Sequence, residues 1–290
     1  LGSLTRQLDD GDLRGVAFDR STQRMTVPDT EANLHRLFRE NGWTDFLPIV
    51  LPTADRVEAM LTGTSRKRDE IVGRLRPTNY REEWEFTVEK VAVNAVMAGA
   101  EPAHLPVILA LASTEISARI SSTSSMANLV VVNGPIRNEL SMNSGIGALG
   151  PYNHANAAIG RAYGLLSQNL QGGSAPGLSY MGCQGNNYSY TNVTFAENEE
   201  ASPWEPYHVE QGFRPDESVV TAFVCWGSIW TEGLRDRWED KIKAMLSSYD
   251  PFLGTILLLD PIVARAQEVG FRQAVRERDD PFGDYGSRPR

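Results

Sequence analysis

The stretch best suited to ligand chemistry by residue type and spacing is Asn143-Ser144-Gly145-Ile146-Gly147-Ala148-Leu149-Gly150-Pro151-Tyr152-Asn153-His154. Glycines let backbone N–H groups approach a guest, and the start of a helix favours negative charge, so a carboxylate or oxyanion near Gly150 to His154 is one reading. The other is a tight turn with Asn153 as a helix cap. Gly145-Ile146-Gly147-Ala148-Leu149-Gly150 spells a dinucleotide fingerprint, but such a motif follows its strand at once and has an acid about 20 residues later. Here a long loop separates strand from glycines, and Gln168, Asn169 and Gln171 stand where the acid belongs. Nucleotide binding is set aside. At the positive helix end His154 is expected as a neutral imidazole, fit to act as base or hydrogen-bond donor; its plain alternative is a capping or surface histidine.

A second group is Glu197-Asn198-Glu199-Glu200-Ala201-Ser202-Pro203-Trp204-Glu205-Pro206-Tyr207-His208, an acidic loop stiffened by two prolines. Paired carboxylates can serve as acid and base or hold a cation. Glu199 is the candidate base, with Trp204 and His208 against the substrate; a solvated charge run is the bland reading. No HExxH or paired-histidine spacing occurs, so no metal is expected. Cys183, in a loop of glycines and amides, is a candidate nucleophile, whereas Cys225 reads as packing. Arg161, on a helix of small apolar residues, needs a carboxylate from the protein or from a substrate.

These side chains require a scaffold. Leu129 to Val132 reads as a buried strand, and Asn133 then sits at its carboxyl end, where open parallel sheets bind ligands. The Ala- and Gly-rich stretch from about Asn153 to Leu170 reads as the following helix, with Asn156, Gly160 and Gly164 as a close-packing stripe. Upstream, Thr30 and Thr53 can cap helices ended by Gly42 and Gly63. Arg66 to Glu83 reads as a solvated charged face. Phe86 to Ala98 and Val107 to Ala118 read as buried helices. Downstream, Tyr188 to Ala196, Ser218 to Cys225 and Thr255 to Leu259 read as strands, and Asp236 to Ser248 as a helix. Strand, helix, apolar strand, helix is the rhythm of a parallel α/β sheet.

Bulk numbers bound the partners. A chain of 290 residues can bury roughly three quarters of its unfolded surface. A net charge of -9, from 37 acids against 28 bases, argues against nucleic acid. Apolar runs fall short of the roughly 20 residues that span a bilayer, so no membrane partner is expected, and no secretion signal is visible. With two cysteines a disulfide scaffold is excluded. The glycosylation sequons at Asn187 and Asn192 read as chance, and the balance points to the cytoplasm.

Several pieces resemble the bacterial UGSC family, a label that refers to a selenocysteine or cysteine motif and invokes selenoprotein B of glycine reductase. They are Asn41-Gly42-Trp43-Thr44-Asp45, Leu47-Pro48, Pro52-Thr53, Arg56-Val57, the run from Val88 to Gly99, Asn133-Gly134-Pro135-Ile136, Met142-Asn143-Ser144-Gly145, Leu149-Gly150-Pro151, Ala155-Asn156 and Ile159-Gly160-Arg161-Ala162. The most specific is Phe195 to Glu200 continuing through Ser202-Pro203-Trp204-Glu205-Pro206. The resemblance implies a small-molecule enzyme or one subunit of one, with thiol or selenol chemistry. The chain departs from it in having no Cys-Gly-Ser-Cys, in Thr194 where the family pattern has a cysteine, and in Pro261-Ile262-Val263 for a Pro-Glu-His.

The expected architecture is α/β: a polar arm at 1–28, a mainly helical part at 29–120 packed on a mainly parallel or mixed sheet with flanking helices at 121–278, and a tail at 279–290. The expected function is an enzyme of lyase, hydrolase or reductase type that makes or breaks a carbon–heteroatom bond in a small polar or carboxylated compound. Cys183, Glu199 and His154 are its catalytic candidates. Asn133, Asn143, Ser144, Gly145, Gly147, Asn153, Arg161, Trp204 and His208 are its substrate-binding candidates. The cofactor is left unknown, and a homo- or hetero-oligomer is expected. A non-catalytic partner subunit and a carboxylate-binding module are the alternatives.

Overall fold

The computed structural model describes residues 24–25, 30–75, 84–118, 127–150, 152–171, 188–224, 240, 243–244, 247 and 256–265. Helix α1 (Glu31–Glu40) begins where Thr30 Oγ1 accepts the Asn33 N–H at 3.3 Å and ends before Gly42, whose φ is +67°. Helix α2 (Ala54–Leu61) turns Val57 and Met60 inward. The charged stretch expected as solvent face contains a strand. Here β1 (Ile71–Leu75) pairs antiparallel with β2 (Trp84–Thr87), burying Val72. The correction has a plain cause: Arg66, Arg68 and Glu70 crowd the surface and hide a short apolar alternation behind them. Phe86, expected in a helix, lies in β2 instead, opposite Gly73. Helix α3 (Val88–Met97) starts only after Thr87 accepts the Lys90 N–H at 3.5 Å. It is apolar almost all round and almost wholly buried, as its composition requires. A 3-10 turn, Pro102–His104, then leads into α4 (Leu105–Ser113).

Strand β3 (Leu129–Asn133) is buried along its whole length and sits in the middle of a three-stranded sheet. On one side β4 (Val193–Ala196) runs parallel, with Val131 opposite Phe195; on the other β5 (Val219–Phe223) runs antiparallel, with Val131 opposite Thr221. The fold is therefore α/β with a mixed sheet. Between β3 and β4 come the short α5 (Ile136–Glu139), the long α6 (His154–Asn169) and the single turn α7 (Tyr188–Thr191). Tyr188 to Thr191 was expected as strand and is helical; Asn192, with φ +52°, makes the break before β4. Beyond α8 (Tyr207–Glu210) and β5, residues 256–260 carry no regular secondary structure and join neither sheet, and Ile256, Leu257 and Leu258 stay 38%, 39% and 44% exposed. An apolar run alone does not make a strand; a partner edge must be within reach. Residues 261–265 are helical.

Val130 and Val132 face the helices together with Ala196, Val220 and Ala222; α4 and α6 cover that face, and α3 packs on those two helices. One apolar cluster thus joins residues on both sides of position 120, so the helical part and the sheet share a core. Helix α6 comes unusually close to α7, since a Cβ at Gly160 would lie 1.7 Å from the Thr191 carbonyl oxygen. Asn192 Nδ2 donates to the Gly160 carbonyl at 2.9 Å there. Of the expected arm, Arg24 pairs with Glu89 at 3.2 Å. Residues 1–23, Ser121–Ser125, Cys183, Cys225, most of the helix expected at 236–248 and the tail expected at 279–290 lie outside the described residues. Among the described residues no helix is long and apolar enough to cross a membrane.

Candidate functional site

The Asn/Gly loop uses its own amides. Asn143 Oδ1 accepts the Gly145 N–H at 2.9 Å, and Asn143 Nδ2 donates to the Ile146 carbonyl at 2.9 Å. Asn156 Oδ1 accepts the Asn143 N–H at 3.1 Å and its Nδ2 returns to the Asn143 carbonyl at 3.0 Å. Gly147, at φ +77°, makes the left-handed turn that only glycine takes without strain. Asn153 caps α6, accepting the Asn156 N–H at 3.1 Å while Nδ2 donates to the Ser141 carbonyl at 2.9 Å. Ser144 and Gly145 sit on the outer arc, and Ile146 is fully exposed. Asn143, Gly145, Gly147 and Asn153 therefore spend these groups shaping the loop.

At the carboxyl ends of β3 and β4 the structure gathers Asn133, Glu199 and His208, and adds Arg137, Glu197 and Glu200. Glu197 and Glu199 stand two apart on the extended segment leaving β4, so they reach the same side. Asn133 Nδ2 donates to Glu197 Oε2 at 2.5 Å and to Glu199 Oε1 at 3.1 Å; the Gly134 N–H adds 2.8 Å to Glu199 Oε1. The Tyr207 N–H donates to Glu197 Oε2 at 2.8 Å. Arg137, 5% exposed, forks onto both oxygens of Glu200 and brings Nε within 3.2 Å of Glu199 Oε1. The fork raises the guanidinium's proton affinity above its ordinary value and lowers that of the Glu200 carboxyl, the side-chain hydrogen bond being the chief cause for both. Gly134 permits this closeness. Its φ is +80°, and a Cβ there would meet the Glu217 carbonyl oxygen at 2.0 Å. Among the described residues, Asn133 Oδ1, Arg137 Nε and both ring nitrogens of buried His208 have no hydrogen-bond partner. The nearest acid to His208 is Glu199, with Oε1 4.0 Å from Nδ1.

A second group surrounds a hollow of about 310 Å³ at the start of α6, lined by Glu101, His104, Glu139, Ser141, Asn153 and His154, among others. That volume suits a small molecule. His154 Nε2 lies 2.9 Å from the Gly99 carbonyl, an acceptor only, so this nitrogen carries the proton. The Nδ1 atom is left toward Glu101, 3.6 Å from Oε1. His104 lies edge-on to His154, ring centroids 5.3 Å apart, and its Nδ1 accepts the Glu101 N–H at 3.1 Å. Burial, and then the neighbouring His154, hold the His104 imidazole below its ordinary value of 6.5, against an opposing pull from Glu101. One ligand atom from each of Glu101, His104 and His154 falls within 4.8 Å of the others. The short helix α5 serves both groups. Arg137 enters the first and Glu139 the second, as residues two apart on a helix point roughly 200° apart.

Of the remaining candidates, Arg161 takes a protein partner. Nε and Nη2 each donate to Asp45 at 2.9 Å, and Nη2 also reaches the Pro48 carbonyl at 2.8 Å. It clamps α6 to the 45–48 loop. Trp204 is 42% exposed, on the outside of the acidic loop. The structure thus brings Asn133, Glu199 and His208 together, sets His154 and Asn153 in a separate hollow, and leaves Asn143 to Gly147 on its flank. Sequence reasoning missed Arg137, Glu197, Glu101, His104 and Glu139. The first two carried a signal in the Gly134-Pro135 turn after a buried strand and in the two-residue spacing of the acids. Glu101 and His104 lie between two apolar helical runs, where only Pro102 marked the break. Comparison of the chain with protein-family models, with curated proteins and with solved structures finds no match in any of the three.

Proposed function

We propose that the chain is an enzyme that makes or breaks a carbon–heteroatom bond in a small polar or carboxylated compound, and that the compound sits in the hollow between the 3-10 turn Pro102–His104 and the start of α6. The observation that carries this reading is His154. Its Nε2–H is committed to the Gly99 carbonyl, so in the neutral ring Nδ1 holds the lone pair, in a cavity of about 310 Å³ and 3.6 Å from a carboxylate that would offset the charge of the protonated ring. His154 takes the role of base, Glu101 stabilises its imidazolium, and the positive end of α6 favours a guest carboxylate. Cys183 stands as the nucleophile in a thiol-dependent version of the same reaction.

Incubating the protein with a pool of small carboxylated and amino compounds, followed by mass spectrometry, tests the assignment. His154→Gln and Glu101→Gln are expected to lower turnover by roughly 100-fold or more with an unchanged thermal midpoint. Turnover at the wild-type rate in both variants overturns it.

A second reading is favoured by the unpartnered ring nitrogens of His208, 4.0 Å from Glu199. In that reading Glu199 and His208 are the acid–base pair at the end of the sheet. Glu199→Gln and His208→Leu would then abolish turnover while His154→Gln would not.

A further inference from the structure

The hollow has a donor set that acid–base chemistry does not exhaust. Three residues, Glu101 at the N-cap of the 3-10 turn, His104 at its end and His154 at the head of α6, bring one oxygen and two nitrogens within 4.8 Å of one another. Ligands about 2.0–2.2 Å from a tetrahedral zinc ion stand about 3.4 Å apart, and Glu101 Oε1 and His154 Nδ1 are already at 3.6 Å. The His154 ring is oriented as metal-bearing imidazoles usually are, its far nitrogen donating to the Gly99 carbonyl at 2.9 Å. His104 is 3% exposed and fixed in place by the Glu101 N–H. That contact sets the free ring's own proton on Nε2, so loading gives up the contact: the neutral ring has one lone pair, and the ion takes it from the Glu101 N–H. A carboxylate lining the other wall, Glu139, makes the hollow electronegative, and its volume leaves room for water or a guest on an open coordination position.

We propose that Glu101, His104 and His154 bind one divalent transition-metal ion of the zinc class at the wall of this hollow. Two imidazoles and a carboxylate suit zinc, cobalt or nickel and not calcium or magnesium, which take oxygen donors. The inference rests only on donor geometry; an ion on His154 Nδ1 takes the lone pair that the catalytic reading gives to the base, so the two are alternative uses of the hollow and fail separately.

The test is titration of the metal-stripped full chain with Co²⁺, followed by its visible absorption, and with Zn²⁺ by calorimetry. The expected result is one ion per chain with the intense bands of a low-coordinate cobalt site. His154→Ala and Glu101→Gln, both at exposed side chains that the fold can spare, are each expected to weaken binding by at least the roughly 10–100-fold that even an outer-shell partner costs. His35→Ala, on α1, is expected to leave it unchanged. Binding that survives in both His154→Ala and Glu101→Gln overturns the proposal, as does the absence of any Co²⁺ or Zn²⁺ uptake by the wild-type chain. Uptake with loss of the site in these variants supports it whether or not the chain turns over a substrate.

Discussion

The two polar clusters that meet at α5 are built on opposite principles. At the end of the sheet Glu199 and Glu200 face the buried guanidinium of Arg137 with Glu197 beside them on Asn133; Glu200 alone reaches well into solvent, and Glu197, Glu199 and Arg137 are each held by several fixed partners. At the head of α6 two imidazoles and two carboxylates line open space, and His154 Nδ1 and Glu101 make only a long contact. A closed cluster fixes the backbone from which it is made, because removing any member strands a buried charge. An open one keeps lone pairs for a guest. Dense acids in sequence therefore mark the better-tied region, and the proposed function puts the chemistry with the sparser residues.

Breaking the closed cluster should cost most. Arg137→Met removes the cation facing Glu199 and Glu200 and is expected to destabilise the chain by about 3 kcal/mol, read as a lower urea midpoint. The exposure of Glu200 keeps the figure at the low end of the range for buried pairs. Next comes Asn153→Ala. It deletes the α6 cap and the bond to the Ser141 carbonyl, for about 1 kcal/mol, and loosens the hollow's rim, so ligand or metal affinity should fall along with the midpoint. A smaller effect is expected from His208→Leu, within about 1 kcal/mol of wild type in either direction, since the substitution removes two buried nitrogens that lack partners. A loss beyond about 3 kcal/mol would show that those nitrogens are bonded in solution and that the closed cluster is not closed.

The pH dependence separates the clusters further. His104 titrates below its ordinary 6.5 in the folded chain because of burial and of His154. On acidification the unfolded chain therefore binds this proton first. The stability held in the neutral His104 ring is full above pH 6.5 and drains away as pH falls below it. Glu200, lowered by Arg137, has the same sign in the carboxylate range but is largely exposed, so its share is small. The urea midpoint should thus decline from about pH 7 to pH 5 in wild type, and His104→Gln should flatten that decline.

The sequence was legible where a pattern is local. The buried β3 run, the caps at Thr30 and Asn153, the stop at Gly42 and the small-residue face of α6 all follow from propensity and spacing. It was misleading where partners decide. Phe86 looks helical until β1 is there to pair with it, and Thr255 to Leu259 looks like a strand without an edge to join. The sites divide in the same way. Asn133 beside the acids could be anticipated from the rule for strand ends. The meeting of Glu101 and His104 with His154 could not, because it depends on how α3 and α4 pack against α6 across some 50 residues of sequence. Arg161, a substrate-facing candidate by composition, is spent on Asp45 for the same long-range reason.

The chain has four histidines, and the central claim assigns the guest to two of them. Labelling the imidazoles with ¹⁵N and recording their resonances during titration with small carboxylated compounds tests this most directly. The account predicts that His154 and His104 shift together and saturably while His208 and His35 stay still. Movement of His208 with His154 unmoved would contradict it and would place the chemistry at the end of the sheet.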